Sequence, residues 1–254
     1  MKIIHLTDIH LTIPPMTIYD RDPNESFEKA LAHIATHHSD AEALFISGDL
    51  TELGEIETYQ RLRARLNKFK TPAYLTLGNH DNRENFAAIF PDHLDANGFA
   101  QRVVPLSSGT GILLDTHDVD SHKGRLCPKR LDWFDAALET APSPFFVFLH
   151  HHPLATGLER MDRTMLQDSE AFATRLERHR NRIAHVFFGH CHLLFSGSIN
   201  GVPVSAGRST NQNSWPDFAG KRALRGADVP RAYRVVTSES RNVAIHTVEL
   251  GGPW

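Results

Sequence analysis

The chain of 254 residues is 41% hydrophobic and 22% charged, the composition of an ordinary soluble globular protein able to bury a sizeable core in one domain, 1–254. Its formal net charge of −3 excludes bulk electrostatic attraction to a nucleic acid polymer or an anionic membrane, and its two cysteines, Cys127 and Cys191, are no disulfide framework. No run approaches the ~20 apolar residues of a membrane helix.

The first apolar stretch, "KIIHLT" (2–7), reads as a strand, and His5, Asp8 and His10 interrupt it too early for a signal peptide. With the cysteine usage, this points to a cytoplasmic protein. Next, Asp22 is placed to cap a helix with Pro23 at its first position and Glu25 closing a capping box. Phe27, Ala30, Leu31 and Ile34 then follow the stripe of an amphipathic helix. "ALFIS" (43–47) is a short buried strand; Tyr59, Leu62, Leu66 and Phe69 mark a second helix, and "AYLTL" (73–77) a third strand. Phe86 and Phe90 sit on a shorter helix ended by Pro91.

"RVVPL" and "GILLDT" (111–116) pair as strands, Pro128 opens a helix through Leu131, Phe134 and Leu138, and "FFVFL" (145–149) follows as a strand. A helix with Phe172 and Leu176 leads to strand "AHVFF" (184–188), then to a hairpin about Asn200-Gly201, a favoured turn pair. Residues 207–230 read as loop, and "AYRVVTS" and "NVAIHTVEL" close the chain as strands. Strands and helices alternate first and strands dominate the end. Two sheets packed face to face and flanked by helices accommodate this order; a single open doubly wound sheet is the alternative.

The 17 histidines are the compositional outlier, and they gather with carboxylates immediately after strands. Asp8 and His10 follow the first, Asp49 the second, and Asn79, His80 and Asp81 the third. His150, His151 and His152 follow 145–149, and His190 and His192 follow 184–188. Ligands of α/β sheets bind at the carboxyl ends of strands. Asp8/His10 and His190/His192 are spaced i, i+2, so in extended chain each pair points to one side. Gly48, Gly78 and Gly189 each precede a candidate ligand, where a strand turns sharply. Imidazoles, carboxylates and one amide, with no required thiolate, suit Mn, Fe or Zn. Taken singly, each piece has an ordinary structural use: Asn79 or Asp81 capping the following helix, Cys191 packing, His5 and His185 as core histidines.

Together, "TDIHL", "SGDLTELG", "LGNHD", "HHHP" and "GHCH" make up D-x-H … G-D … G-N-H-[D/E] … H … G-H-x-H, and the chain resembles the calcineurin-like metallophosphoesterase superfamily. Within it, the chain is similar to class III cyclic nucleotide phosphodiesterases and glycerophosphodiesterases rather than to the Ser/Thr protein phosphatases, which carry G-D-x-V-D-R-G and G-N-H-E. The resemblance implies an αββα sandwich of two mixed sheets. It also implies two divalent or trivalent metal ions (Mn, Fe or Zn): one held by Asp8, His10, Asp49 and His192, the other by Asn79, His151, His190 and the bridging Asp49.

By the same resemblance the ligand histidine lies two residues before the proline, which selects His151 and leaves His150 to pack behind it and His152 to line the rim. His80 then faces the phosphate, and Glu52, three residues after the bridging Asp49, stands where the family often has Asp or Asn to orient that histidine. The implied reaction is in-line attack of a metal-bridging hydroxide on a small phosphodiester. A phosphomonoesterase or nucleotide pyrophosphatase on the same centre is the alternative, and a non-catalytic scaffold of the same fold a third reading. Segments 14–22, 116–125 and 207–215 are the candidate substrate rim. The partner expected is a small molecule, with homo-oligomerisation left open.

Overall fold

The computed structural model describes residues 1–219, 226–239 and 242–251. Two sheets form. The first has the order β13-β12-β1-β2-β3, with β1 Lys2–Leu6, β2 Ala43–Ser47, β3 Ala73–Thr76, β12 Arg231–Glu239 and β13 Asn242–Leu250. The second has the order β4-β5-β6-β7-β9-β8, with β4 Arg102–Leu106, β5 Gly109–Leu113, β6 Phe145–Phe148, β7 Ile183–Phe188, β8 Phe195–Ile199 and β9 Val202–Ala206. Both are mixed: β1 runs parallel to β2 and antiparallel to β12, while β6 runs parallel to β5 and β7 and β8 antiparallel to β9. The expected sandwich is therefore the fold, and the single open sheet is excluded.

The sheets meet through aromatic side chains on alternate strand positions. Phe45 from the first sheet stacks on Phe148 from the second with ring centroids 4.1 Å apart, and Phe148 stacks on Phe187 at 4.9 Å. Each such buried ring contributes about 1.5–3 kcal/mol. On the outer face of the first sheet, α1 (Pro23–His37), α2 (Ile56–Leu66) and α3 (Arg83–Ile89) cover a second cluster that includes Phe27, Tyr59 and Phe86. On the outer face of the second, α4 (Pro128–Thr140), the short α5 (Glu159–Asp162) and α6 (Ser169–Arg178) cover a third around Phe134 and Phe172.

Local signals account for the boundaries, with instructive differences. Asp22 caps α1 by accepting from Asn24 N at 2.8 Å, but Glu25 closes no capping box and instead pairs with Lys29 at 2.7 Å. Neither Asn79 nor Asp81 caps α3; Asn82 does, accepting from Asn85 N at 3.0 Å. Phe69 and Phe90 lie just past the ends of their helices. Asn200 and Gly201 both take positive φ (50° and 86°) in the hairpin turn, as that turn requires. The loop expected over 207–230 contains a two-stranded bridge, β10 Asn213–Ser214 with β11 Gly226–Ala227, and residues 220–225 of it lie outside the described residues. Among the described residues no helix is long and apolar enough to cross a membrane.

Candidate metal centre

The carboxyl ends of β1, β2 and β3 from one sheet and of β6 and β7 from the other converge on one edge of the sandwich. Backbone bonds tie the turns together: Asp8 N donates to Gly48 O at 3.1 Å, His10 N to Asp49 O at 2.9 Å, and Gly189 N to His150 O at 3.0 Å. The turns pack with almost no clearance. A Cβ on Gly78 would stand 2.2 Å from Asp49 Oδ1, and one on Gly189 would stand 1.8 Å from Thr7 Oγ1, so only glycine fits at either position.

Five residues at these turns, Asp8, His10, Asp49, His190 and His192, have φ between 45° and 66°. Such left-handed backbone is uncommon outside glycine and clusters at functional sites. This corrects the reasoning for the i, i+2 pairs. Asp8/His10 and His190/His192 do reach the same site, but through successive left-handed turns rather than extended chain.

Asp8, His10, Asp49 and His192 offer ligand atoms all within 4.8 Å of one another. His192 Nε2 lies 3.2 Å from Asp8 Oδ1 and 3.1 Å from His10 Nε2, which is itself 3.5 Å from Asp49 Oδ2. Both imidazoles are held from behind. His10 Nδ1–H donates to the Glu52 carboxylate at 2.7 Å and His192 Nδ1–H to the Gln212 carbonyl at 2.9 Å, which leaves each Nε2 as the inward lone pair. Thr7 Oγ1 and the His190 amide donate to Asp8, and Ser209 Oγ donates to its carbonyl.

On the other side of Asp49, Asn79 Oδ1 sits 2.8 Å from His190 Nδ1 and 3.3 Å from His150 Nε2, and Asn79 Nδ2 is 3.2 Å from His122 Nδ1. His190 Nε2–H donates to Thr164 Oγ1 at 2.8 Å, whose own proton goes to Met161 O. The three consecutive histidines are not arranged as expected. His150 Nε2 is 3.3 Å from Asp49 Oδ2 with Nδ1–H on Ser47 O, so His150 too reaches the bridging carboxylate. His151 has Nδ1 2.8 Å from Thr116 Oγ1 and a buried Nε2 with no hydrogen-bond partner, and its ring nitrogen lies within 4.8 Å of those of His150 and His190. His152 does not line the rim: it is buried and stacks on His190 at 5.4 Å.

His80 is partly exposed, with its ring edge-to-face on that of His10 at 4.8 Å and its ligand atom grouped with those of His10 and Glu52. Its amide donates to Asp49 Oδ1 at 2.9 Å and its Nδ1–H to the Glu52 carbonyl at 2.9 Å, which leaves Nε2 as the free ring nitrogen in the cleft. Glu52 thus serves two histidines, His80 by its main chain and His10 by its side chain. Asp81 turns away from the cleft. Burial, reinforced by the Asp49 charge, pushes its carboxyl up to about 6. Cys191, between its two histidines, is buried in the core.

The electrostatics suit a cation site. Burial alone would raise the Asp8 and Asp49 carboxyls, but His192 beside Asp8 and His150 beside Asp49 hold both below the usual carboxylate range. In return Asp49 keeps His150 at about 9 against the cost of burying it, and Asp8 likewise raises His192. Burial also disfavours the charged form of His80, yet Asp49 and Glu52 raise it. Convergent carboxylates and imidazoles whose charge balance is met by protons accept a divalent cation at the same place, releasing those protons. The donor set fits a metal.

The cleft over these residues holds about 310 Å³, and each of the three rim segments contributes: Tyr19, His122, and Gln212 with Asn213 and Ser214. Thr164 was not foreseen, whereas Thr116 and Ser209 fall inside the expected rim segments but reach His151 and the Asp8 carbonyl. Isolated hydroxyls in loops carry no spacing signal, and only the fold brings them to the histidines.

Comparison with known proteins agrees with the fold. A family model described as calcineurin-like phosphoesterase matches residues 1–194. A probable cyclic nucleotide phosphodiesterase of Rhodopseudomonas palustris is 35% identical over 97% of this chain and 91% of its own length. A probable glycerophosphodiester phosphodiesterase of Arcobacter nitrofigilis is 24% identical over 100% of this chain and 96% of its own. Among solved structures, a purple acid phosphatase from yellow lupin seeds superposes over 99% of this chain and 52% of that one, with TM-score 0.71 at 11% identity, a likeness of fold.

Proposed function

The chain belongs to the calcineurin-like phosphoesterase family, and on that premise we propose that it is a binuclear-metal phosphodiesterase acting on a small diester, a cyclic nucleotide or a glycerophosphodiester. One observation carries the binuclear reading: Asp49 Oδ2 lies 3.5 Å from His10 Nε2 and 3.3 Å from His150 Nε2, between two separate donor sets. Asp8, His10, Asp49 and His192 would hold one ion; Asp49, Asn79, His150 and His190 the other. His150 takes the place expected of His151. Imidazole, carboxylate and amide donors without thiolate suit Mn, Fe or Zn. Two such cations supply Lewis acidity and the means to ionise a water near neutral pH.

The protein's own part is orientation and proton handling. Glu52 and Gln212 fix the tautomers of His10 and His192, and Thr164 fixes that of His190. His80, with Nδ1 committed to the Glu52 carbonyl and its protonated form favoured by Asp49 and Glu52, presents Nε2–H to a phosphoryl oxygen or the leaving alkoxide. General acid catalysis of this kind is worth about 10²–10⁴ in rate. The names of the relatives support a diester, and the size of the cleft supports a small one.

The reading is tested by a screen of metal-reconstituted protein against cAMP, 2′,3′-cyclic nucleotides, glycerophosphodiesters, phosphomonoesters and nucleotide sugars. Turnover of a cyclic nucleotide or glycerophosphodiester is expected. Turnover confined to monoesters or pyrophosphates would move the assignment to the alternative activity.

A further inference from the structure

Asp81 is buried, follows His80 directly, and lies outside both donor sets. Its carboxylate is nevertheless the most heavily bonded group beside the centre. Oδ2 accepts from Gly78 N at 2.8 Å and Leu50 N at 3.1 Å; Oδ1 accepts from Tyr59 Oη at 2.9 Å and Thr51 N at 3.2 Å. The three backbone donors lie on two turns, 48–52, which carries Asp49 and Glu52, and 78–81, which carries Asn79 and His80, while Tyr59 reaches in from α2. From the outer side Tyr59 Oη also accepts from Asn82 N at 2.8 Å, and His117 Nε2–H donates to Asp81 O at 2.9 Å. One carboxylate therefore stitches the two turns along their seam.

His80 depends on that seam. Its two anchors, the amide bond to Asp49 and the Nδ1–H bond to the Glu52 carbonyl, both cross from one turn to the other. A change in the spacing of the turns moves His80 Nε2 relative to the phosphate site. We infer that Asp81 is a positioning residue that acts through His80, by fixing the separation of the turn bearing Asp49 and Glu52 from the turn bearing His80. This rests on the reading of His80 as the residue that faces the phosphate.

Asp81→Asn keeps the shape but replaces one acceptor oxygen with an NH₂ that confronts N–H or O–H donors, so part of the seam loses its partner. A displacement of about 1 Å at a catalytic group can cost ~10²-fold. The expected result is a fall in kcat approaching ~10²-fold on an alkyl diester with KM little changed, and a smaller fall on a nitrophenyl diester, whose leaving group hardly needs a proton. Metal content should stay at the wild-type value. In the double variant with His80→Ala the Asp81→Asn effect should vanish, because the group it positions is gone.

In metal-free protein, histidine-selective ¹⁵N NMR should show the His80 Nδ1 signal shifting while those of His93 and His185 hold. Tyr59→Phe, which removes one of the seam's donors, should show the same pattern more weakly and carries the test if Asp81→Asn does not fold. A loss that adds in full to that of His80→Ala, or a His80 Nδ1 signal that does not move, overturns the inference. Unchanged turnover in His80→Ala alone overturns the reading of His80 and this inference with it.

Discussion

His10 and His192 face each other with their Nε2 atoms 3.1 Å apart, and each is held at Nδ1 by an acceptor outside the donor set they share, the Glu52 carboxylate and the Gln212 carbonyl. Two imidazole lone pairs are brought so close only where a proton or a cation shares them. The fold makes that approach obligatory, since the two histidines come from different sheets.

The Glu52 carboxylate should therefore matter to metal affinity through a residue it merely supports. Glu52→Ala is expected to weaken metal binding by about 10–100-fold, the usual cost of removing the hydrogen-bond partner of a ligating histidine. Its carbonyl still holds His80, so activity at saturating metal should recover in large part. Competition against a chelator measures the first, and turnover against added metal the second.

Asp49→Ala should abolish turnover and lower metal content at both sites at once, because its carboxylate stands between the two donor sets. Two metals per chain with near-normal activity in that variant would refute a shared ligand.

The three consecutive histidines give the sharpest contrast. His150→Ala should lose the second ion, whereas His151→Ala and His152→Ala should retain most of it. Elemental analysis of the three purified proteins decides between them. Selective loss in His151→Ala would restore the register read from the proline.

Away from the centre, His185 sets an acid limit on stability. Buried against Ser205 and beside the Arg234 cation, its pKa falls to about 3, burial being the larger cause. In the unfolded chain it titrates near 6.5, so between about 6.5 and 3 the unfolded state holds the extra proton, and stability declines as pH drops through that window. One such proton contributes a slope of at most about 1.4 kcal/mol per pH unit. His185→Gln should flatten the dependence by up to that amount, read from urea unfolding at a series of pH values. An identical slope in wild type and variant would show that His185 does not carry it.

Much of this architecture was legible because apolar strands ending abruptly in metal-competent side chains form a pattern that few other arrangements produce. Asp22 and Asn200-Gly201 act through neighbours close in sequence and were read correctly. What escaped depends on distant contacts. Whether His150 or His151 faces Asp49 is decided by how β6 sits against Ser47 and Thr116, which lie in other strands and loops. Asn82 rather than Asn79 or Asp81 caps α3, because Asn79 is committed to the centre and Asp81 to the seam between turns. Thr164 reaches His190 from the loop after α5, which is tied down where Leu166 N donates to His152 O at 3.1 Å.

The left-handed backbone at Asp8, His10, Asp49, His190 and His192 also restricts which amino acids could ever stand there. Asp, Asn and His are the side-chain-bearing residues that best tolerate that conformation, and all three can coordinate a cation. A β-branched residue would be resisted by the main chain before its side chain was considered. Glutamate, though an equally good oxygen donor, would bring both a less tolerant backbone and a longer reach. The repertoire of interchangeable ligands at these five positions is thus set as much by the conformation of the turns as by the preferences of the ion.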